Sequence, residues 1–259
     1  MKKKLAAHFS QGRNILTYLL VAGIITALFA CPQTPSADDW QLVPYEPCYY
    51  VALWGSDSNA GIAESLPFKS LARALEKTKT DPQRKTIYVL SDLNAATENS
   101  GSMEAVFLVD GTGGKEITIA ARAQAILSGA LDSRPTLLVR KGSRLVINNI
   151  TFSNSAAAGI LVRDASVLTL SGAKSITNRG GTGLIIEGGS QCIMEDGAIL
   201  NNLNTGGPGG VHVRGSSGFT MTGTSLVQGN QGAPGGVLVE DASLFTMKNG
   251  ASVAGNFAV

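Results

Sequence analysis

Five charged residues recur at matching positions roughly 25 residues apart, a repeat-unit length: Arg140, Arg163, Glu187, Arg214 and Glu240. From Arg163 onward they alternate in sign. Such a column is either a track for a charged ligand or a ladder of cross-strand ion pairs, each worth roughly 0.2–1 kcal/mol. Acid–base chemistry on a polysaccharide asks for more. Proton abstraction needs a basic residue and usually Ca²⁺ held by several carboxylates. Glycoside hydrolysis needs two acids close together. Asp164 and Asp241 share a position but stand three repeats apart, about 14 Å at the spacing of stacked strands. No acids cluster on adjacent repeats. His212, the only histidine outside residues 1–30, stands alone among Leu and Ile at its position, which makes no metal site. These residues predict no catalytic centre, no metal and no cofactor. A lyase, a glycosidase or a carbohydrate-binding module stays as the alternative reading.

Two residues before each charged position lies a second column: Leu138, Leu161, Ile185, His212 and Leu238. It falls on the outward side of a strand pattern, and an exposed apolar stripe marks a contact surface. These five residues are the candidate binding face, for a glycan or a protein ligand. The alternative is that a loop or the linker covers them.

Both columns are positioned by an internal repeat, the strongest signal in the chain. Five units begin at Leu137, Ile160, Leu184, Val211 and Val237, each roughly 25 residues after the last. Two residues later stand Val139, Val162, Ile186, Val213 and Val239, and a period of two is a strand period. A second strand places Leu145, Leu168, Cys192, Phe219 and Phe245 inward, followed at the same period by Ile147, Leu170, Met194, Met221 and Met247. A third contributes Ile150, Ile176, Ile199, Val227 and Val253. A less regular unit precedes them, using Val106–Val109, Ile117–Ala120 and Ile126–Leu127. Ser143, Ser166, Ser190, Ser217 and Ser243 form one turn column, and Asn154, Asn178, Asn202, Asn230 and Asn256 form another. Stacked polar side chains of this kind can bond up the column. Gly209–Gly210 and Gly235–Gly236 permit a tight corner before the first strand. Three short strands per unit, none able to bury its face alone, make an all-β parallel β-helix solenoid over residues 101–259. The chain stops inside a repeat, at Gly255–Val259, which predicts either a shortened version of a longer repeat protein or a last rung that meets a partner.

Residues 48–100 read as a cap. Tyr49–Ala52 is a short strand pattern. Pro67 at a first helical position, with Phe68, Leu71, Ala72 and Leu75 at helical spacing, predicts an amphipathic helix over about 67–79. Ile87–Leu90 is the next strand. The ordered set YYVALWGSDSN, LPFKSLARAL and TIYVL resembles the N-terminal cap of secreted pectate-lyase-like β-helix proteins. That resemblance implies a right-handed β-helix whose first rung the helix covers. The enzyme strings NTD, GHG, RIK and RxPxxR are absent. The repeated GGV, FTM and V-x-G-N text resembles repeats of bacterial surface lipoproteins of β-helix type. More distantly it is similar to the polymorphic outer-membrane proteins, with GGV here for GGA, and ILNN, VQGN and VAGN for FxxN.

Residues 1–30 hold Lys2, Lys3, Lys4 and Arg13, no acid, and an uncharged run from Ile15 to Ala30. This is the layout of an export signal, and the run is short for the ~20 residues of a membrane-spanning helix. It ends in Leu28-Phe29-Ala30-Cys31, which resembles the lipobox of bacterial lipoproteins. The resemblance implies cleavage before Cys31 and diacylglycerol on its sulfur. Residues 31–47, with four prolines, read as a tether. The expected address is the bacterial cell envelope, at the outer membrane or cell surface, with the membrane as partner through the N-terminal lipid. Without residues 1–30 the chain carries 17 bases against 19 acids, which gives no general pull towards nucleic acid. Cys48 and Cys192 could pair in an oxidising compartment, but the core position of Cys192 points to two free thiols. The expected role is an adhesin-like binding surface, with a structural envelope protein as a further alternative.

Overall fold

The computed structural model describes residues 46–259 apart from 99–100, 131, 154, 173–174 and 178–179. The signal, Cys31 and most of the tether lie outside the described residues, as do Asn154 and Asn178. By contacts the chain divides into Met1–Pro47 and Cys48–Val259. The β-helix and its cap belong wholly to the second unit. Among the described residues no helix is long and apolar enough to cross a membrane.

The cap contains β1 (Cys48–Val51), α1 (Leu71–Thr80) and β2 (Thr86–Val89). Six rungs follow. The first is β3 (Phe107–Asp110) and β4 (Glu116–Ser128), the second β5 (Leu137–Arg140) and β6 (Arg144–Ser153). The third holds β7 (Ile160–Val162), β8 (Val167–Ser171) and β9 (Ser175–Thr177); the fourth β10 (Leu184–Ile186), β11 (Gln191–Glu195) and β12 (Ala198–Leu200). The fifth comprises β13 (Val211–Val213), β14 (Gly218–Thr222), β15 (Leu226–Gln228) and β16 (Gln231–Gly232), and the sixth β17 (Val237–Val239), β18 (Leu244–Met247), β19 (Ser252–Ala254) and β20 (Phe257–Ala258). The fold is a right-handed parallel β-helix with a single described helix at its N-terminal end.

First strands stack as β3-β5-β7-β10-β13-β17. Second and third strands form one larger sheet, because β6 turns the corner unbroken and pairs with both β8 and β9. The inward columns stack as their spacing predicts: Leu137 on Ile160, Leu184, Val211 and Val237, and Leu145 on Leu168, Cys192, Phe219 and Phe245. The third column differs at one place. Phe152, and not Ile150, pairs with Ile176, because the third leg of β6 is longer and buries both residues at a period of two. The irregular first rung carries a register shift between Ala120 and Ala125.

Corners follow from left-handed backbone. Between first and second strands each regular rung has two consecutive positive-φ residues: Lys141–Gly142, Asp164–Ala165, Gly188–Gly189, Gly215–Ser216 and Asp241–Ala242. That pair is the signature of a tight turn with two left-handed residues. The serine column comes directly after. The backbone N–H of Ser143 donates to Ser166 Oγ at 3.1 Å, Ser166 to Ser190 at 3.2 Å, Ser190 to Ser217 and Ser217 to Ser243 at 3.1 Å. A left-handed residue turns second strand into third: Asn149, Gly172, Asp196, Gly223 and, on the last rung, Asn249 followed by Gly250, also at positive φ. At the exit of the third strand, Asn202 Nδ2 donates to Asn230 Oδ1 at 2.7 Å and Asn230 Nδ2 to Asn256 Oδ1 at 2.9 Å. Gly209, Gly210 and Gly235 are required for close backbone approach and not for the tight corner expected, whereas a Cβ on Gly236 would meet only ordinary contacts. A Cβ on Gly210 would stand 2.4 Å from the Gly236 oxygen, and one on Gly235 would stand 2.2 Å from the Phe257 oxygen. Successive backbones pass too closely at Gly209, Gly210 and Gly235 for any side chain.

Helix α1 begins later than the sequence predicts. Pro67 and Phe68 lie alongside β1: the Phe68 N–H donates to Tyr50 O, and its carbonyl accepts from Ala52 N. These strand-like bonds hold the segment extended. Ser70 then caps the helix, its Oγ accepting from Arg73 N at 3.2 Å. Leu71, Ala74, Leu75 and Thr78 are the buried face.

Alanine in a left-handed corner carries a steric cost of about 1–2 kcal/mol. Ala165→Gly and Ala242→Gly should each raise stability by about 0.5–1 kcal/mol after the entropy of the added glycine is subtracted. Gly189→Ala, in the same column with open space around its Cβ position, should lower it by a similar amount. Urea unfolding of the three variants checks both signs.

Candidate functional site

The outward residues of the first-strand sheet stand in unbroken vertical register: Leu138 beside Leu161, then Ile185, His212 and Leu238. Leu108 on β3 pairs with Leu138 and extends the column by one rung. The repeat spacing does not reveal it, because the first rung breaks that spacing. The column is less open than its composition predicts. Leu138 is 1% exposed and His212 8%, whereas Leu161, Ile185 and Leu238 are half-buried. The accessible part therefore lies at Leu161, Ile185 and Leu238.

The charged column beside it is a set of ion pairs. Arg214 Nε and Nη2 donate to Glu187 Oε2 at 2.9 and 2.6 Å, across one rung. Glu240 turns away from Arg214 and places Oε1 2.6 Å from His212 Nε2. Arg140 meets Asp110 at 3.2 Å, and Lys141 meets the same carboxylate at 3.0 Å. Glu104 bridges two rungs, bonding Arg140 and, at 2.6 Å, Arg163. Glu104 and Asp110 precede the regular repeats, so the sequence offers only their charge and no column. The Arg140 hydrogen bond holds the Glu104 carboxyl below its usual range, with Arg163 adding to it. For Asp110, burial pushes upward, but hydrogen bonds from Arg140 and Lys141 outweigh it and the net shift is downward. Asp164 and Asp241 occupy left-handed corner positions three rungs apart, each exposed, and the structure does not bring them together.

The cysteines divide. Cys192 is free and 1% exposed, and burial pushes its thiol well above the usual range. Cys48 is disulfide-bonded, which corrects the expectation of two free thiols. The chain holds one other cysteine, Cys31, outside the described residues. A sulfur that carries diacylglycerol cannot also sit in a disulfide. Among the described residues no three His, Cys, Asp or Glu side chains gather as a metal-holding group.

A cavity of about 310 Å³ opens between cap and first rung, lined by Ala95, Glu98, Gly101, Ser102, Met103 and Arg134, among others. Glu98 is its chemically unusual member. Its carboxylate accepts from Leu71 N at 3.0 Å and Ala72 N at 2.7 Å, closing the N-terminus of α1. Burial raises its pKa to about 7 in spite of these bonds, with the nearby Asp57 charge adding to the rise. In the unfolded chain an ordinary glutamate titrates near 4.3. The folded state therefore binds the extra proton between those values, and stability is fullest below the unfolded pKa and falls as pH rises through 7. Urea unfolding should show a loss on the order of 2 kcal/mol between pH 4.5 and 8, and Glu98→Gln should flatten that slope.

Residues 135–256 match the family model described as a right-handed β-helix region. The match covers the five regular repeats and leaves the cap outside. No curated protein and no solved structure matches the chain.

Proposed function

We propose that this chain is exported to the bacterial cell envelope and anchored there by lipid on Cys31, in a form whose Cys48 disulfide is not made, and that its β-helix is a rigid spacer with a binding face, adhesin-like in broad class. The observation that carries the binding part is the register-locked apolar stripe at Leu161, Ile185 and Leu238. It runs along a sheet whose neighbouring charges are paired in place, so the stripe offers apolar contact beside a self-neutralised border. The ligand fitting such a strip is a glycan or an extended protein segment. Support for the anchor comes from the basic start, the uncharged run and Leu28-Phe29-Ala30-Cys31.

The anchor and the face are tested separately. Exported full-length protein should yield an N-terminal peptide whose mass places acyl chains on Cys31, and Cys31→Ser should release the protein from membranes. A Cys31–Cys48 disulfide in that peptide would sink the anchor, since the two modifications exclude each other. For the face, saturable binding to an array of glycans and host matrix proteins should be lost when Leu161, Ile185 and Leu238 are changed together to Ala, with the circular dichroism spectrum unchanged. Binding indifferent to the triple change, or no binding at all, would leave the solenoid a structural role.

A further inference from the structure

We propose that the cap loop 52–67 is a membrane-contact surface that seats Leu53, Trp54, Ile62 and Leu66 at the interface of a phospholipid bilayer; the proposal rests on the lipid anchor inferred above. These four side chains are 53, 64, 48 and 56% exposed, all within one loop. Single exposed apolar residues need no explanation, but four within the 14 residues from Leu53 to Leu66, one of them Trp, are a local concentration of exposed apolar side chains. Trp is the side chain that most favours the headgroup boundary.

The loop is built as an apolar surface must be if it is to leave water. Its backbone bonds to itself: Gly55 N to Ala52 O at 2.9 Å, Ser56 N to Pro67 O at 3.1 Å, Asn59 N to Ser56 O at 2.9 Å and Leu66 N to Ala63 O at 3.1 Å. Asn59 Nδ2 donates to Pro67 O at 2.8 Å, and the Ser56 and Ser58 hydroxyls lie 2.7 Å apart. In a medium poor in water, unsatisfied backbone groups are what prevent entry. Both acids of the loop are engaged. Asp57 accepts from Lys69 N, Ser70 N and the Ser70 hydroxyl, and Glu64 pairs with Arg122 at 2.6 Å. Exposed Lys69 follows the loop and suits an anionic headgroup. The loop is also held in shape, since Gly55 lies against the Phe68 backbone and Gly61 against the Phe68 ring, which is fully buried.

Position names the occupant. The loop continues from β1, which pairs with β2 on one side and on the other meets the Phe68 bridge and donates from Tyr50 N to Gly61 O at 2.8 Å. The chain enters β1 at Cys48, with only the short segment after Cys31 before it. The sequence separation of Cys31 and Cys48 limits their distance to at most about 60 Å. β1 itself is about 13 Å long. An acylated Cys31 thus keeps Leu53 and Trp54 within reach of the bilayer that holds it, at the high effective concentration of a short tether.

The test uses the full chain with Trp40→Phe, which leaves Trp54 as the sole tryptophan, on phosphatidylethanolamine–phosphatidylglycerol vesicles with brominated acyl chains. Seating about 5–10 Å into the boundary should quench Trp54 emission roughly twofold. Leu53→Ser with Leu66→Ser should abolish the quenching while flotation and circular dichroism stay unchanged. Acylation is read independently from the mass of the N-terminal peptide. An acylated, floating protein with unquenched Trp54 overturns the loop proposal and leaves the anchor standing. If the peptide carries no lipid, the anchor falls, and the same measurement at millimolar lipid decides the loop by itself: quenching upholds it, and unquenched emission overturns it. A blue shift without vesicles that grows with protein concentration assigns the loop to a second copy and also overturns the proposal.

Discussion

Parallel strands that bond one rung to the next stand about 4.8 Å apart, and this spacing governs the rest of the molecule. Whatever occupies a position on one rung lies directly over its counterpart on the next. A buried polar group therefore has an equivalent group within reach directly above it in its own column. The serine column meets this condition with each Oγ accepting the backbone N–H of the rung before it. The asparagine column meets it twice over, because each Oδ1 takes both the N–H and the Nδ2 of its predecessor. Leaving one such N–H unpaired would cost about 1–3 kcal/mol, so a single exception in either column is destabilising while the unbroken run supports itself.

The same spacing constrains apolar and charged columns in different ways. Inside, side-chain volume must balance along the stack as well as across it. Cys192 lies between Leu168 and Phe219, and Phe219 and Phe245 stack with centroids 5.5 Å apart and planes 13° from parallel. A small side chain precedes two large ones. Its thiol, driven upward by burial, serves as volume and not as chemistry. Outside, like charges cannot be stacked at this distance without partners. Arg140 and Arg163 would be adjacent like charges, and Glu104 reaches in from the preceding loop to bond both. The column long enough to be a ligand track is thus satisfied from within the protein.

What can be read in the sequence is what repeats. Strand columns, the serine and asparagine ladders and the core place of Cys192 all follow from equal residues at equal offsets. The corner residues Asn149, Asp196 and Asn249 repeat too, but glycine replaces them on the rungs between. What is shared there is a backbone conformation and no side-chain type, so the column hides from a reading by composition. Spacing points to Ile150 for a column position that Phe152 fills, because the third leg of β6 is longer than those after it and any fixed offset lands on the wrong inward residue. The apolar stripe is legible in position but not in exposure. Strand alternation tells which face a residue takes, and says nothing of what lies on that face. Leu138 at 1% and Leu161 half-buried have the same alternation and different surroundings.

The cap obeys no such column rule. Its N–H groups at the start of α1 are closed by Ser70 from nearby, but also by Glu98, 26 and 27 residues away, and Asp57 is drawn 13 residues back to Ser70. Tyr49 reaches Asp81, 32 residues on, and Lys115 bonds three carbonyls around the end of the helix. Each bond is made once, between residues that no spacing relates. A solenoid has no internal reason to stop, and the element that covers its first rung must break the repeat to do so. Polar contacts of high sequence separation, a displaced helix start at Leu71 and a buried carboxylate with a pKa of about 7 are the physical form of that break. Residues freed from the column rule can be chosen for contacts of their own, which is why the unusual groups of this chain gather at the cap while its rungs remain uniform.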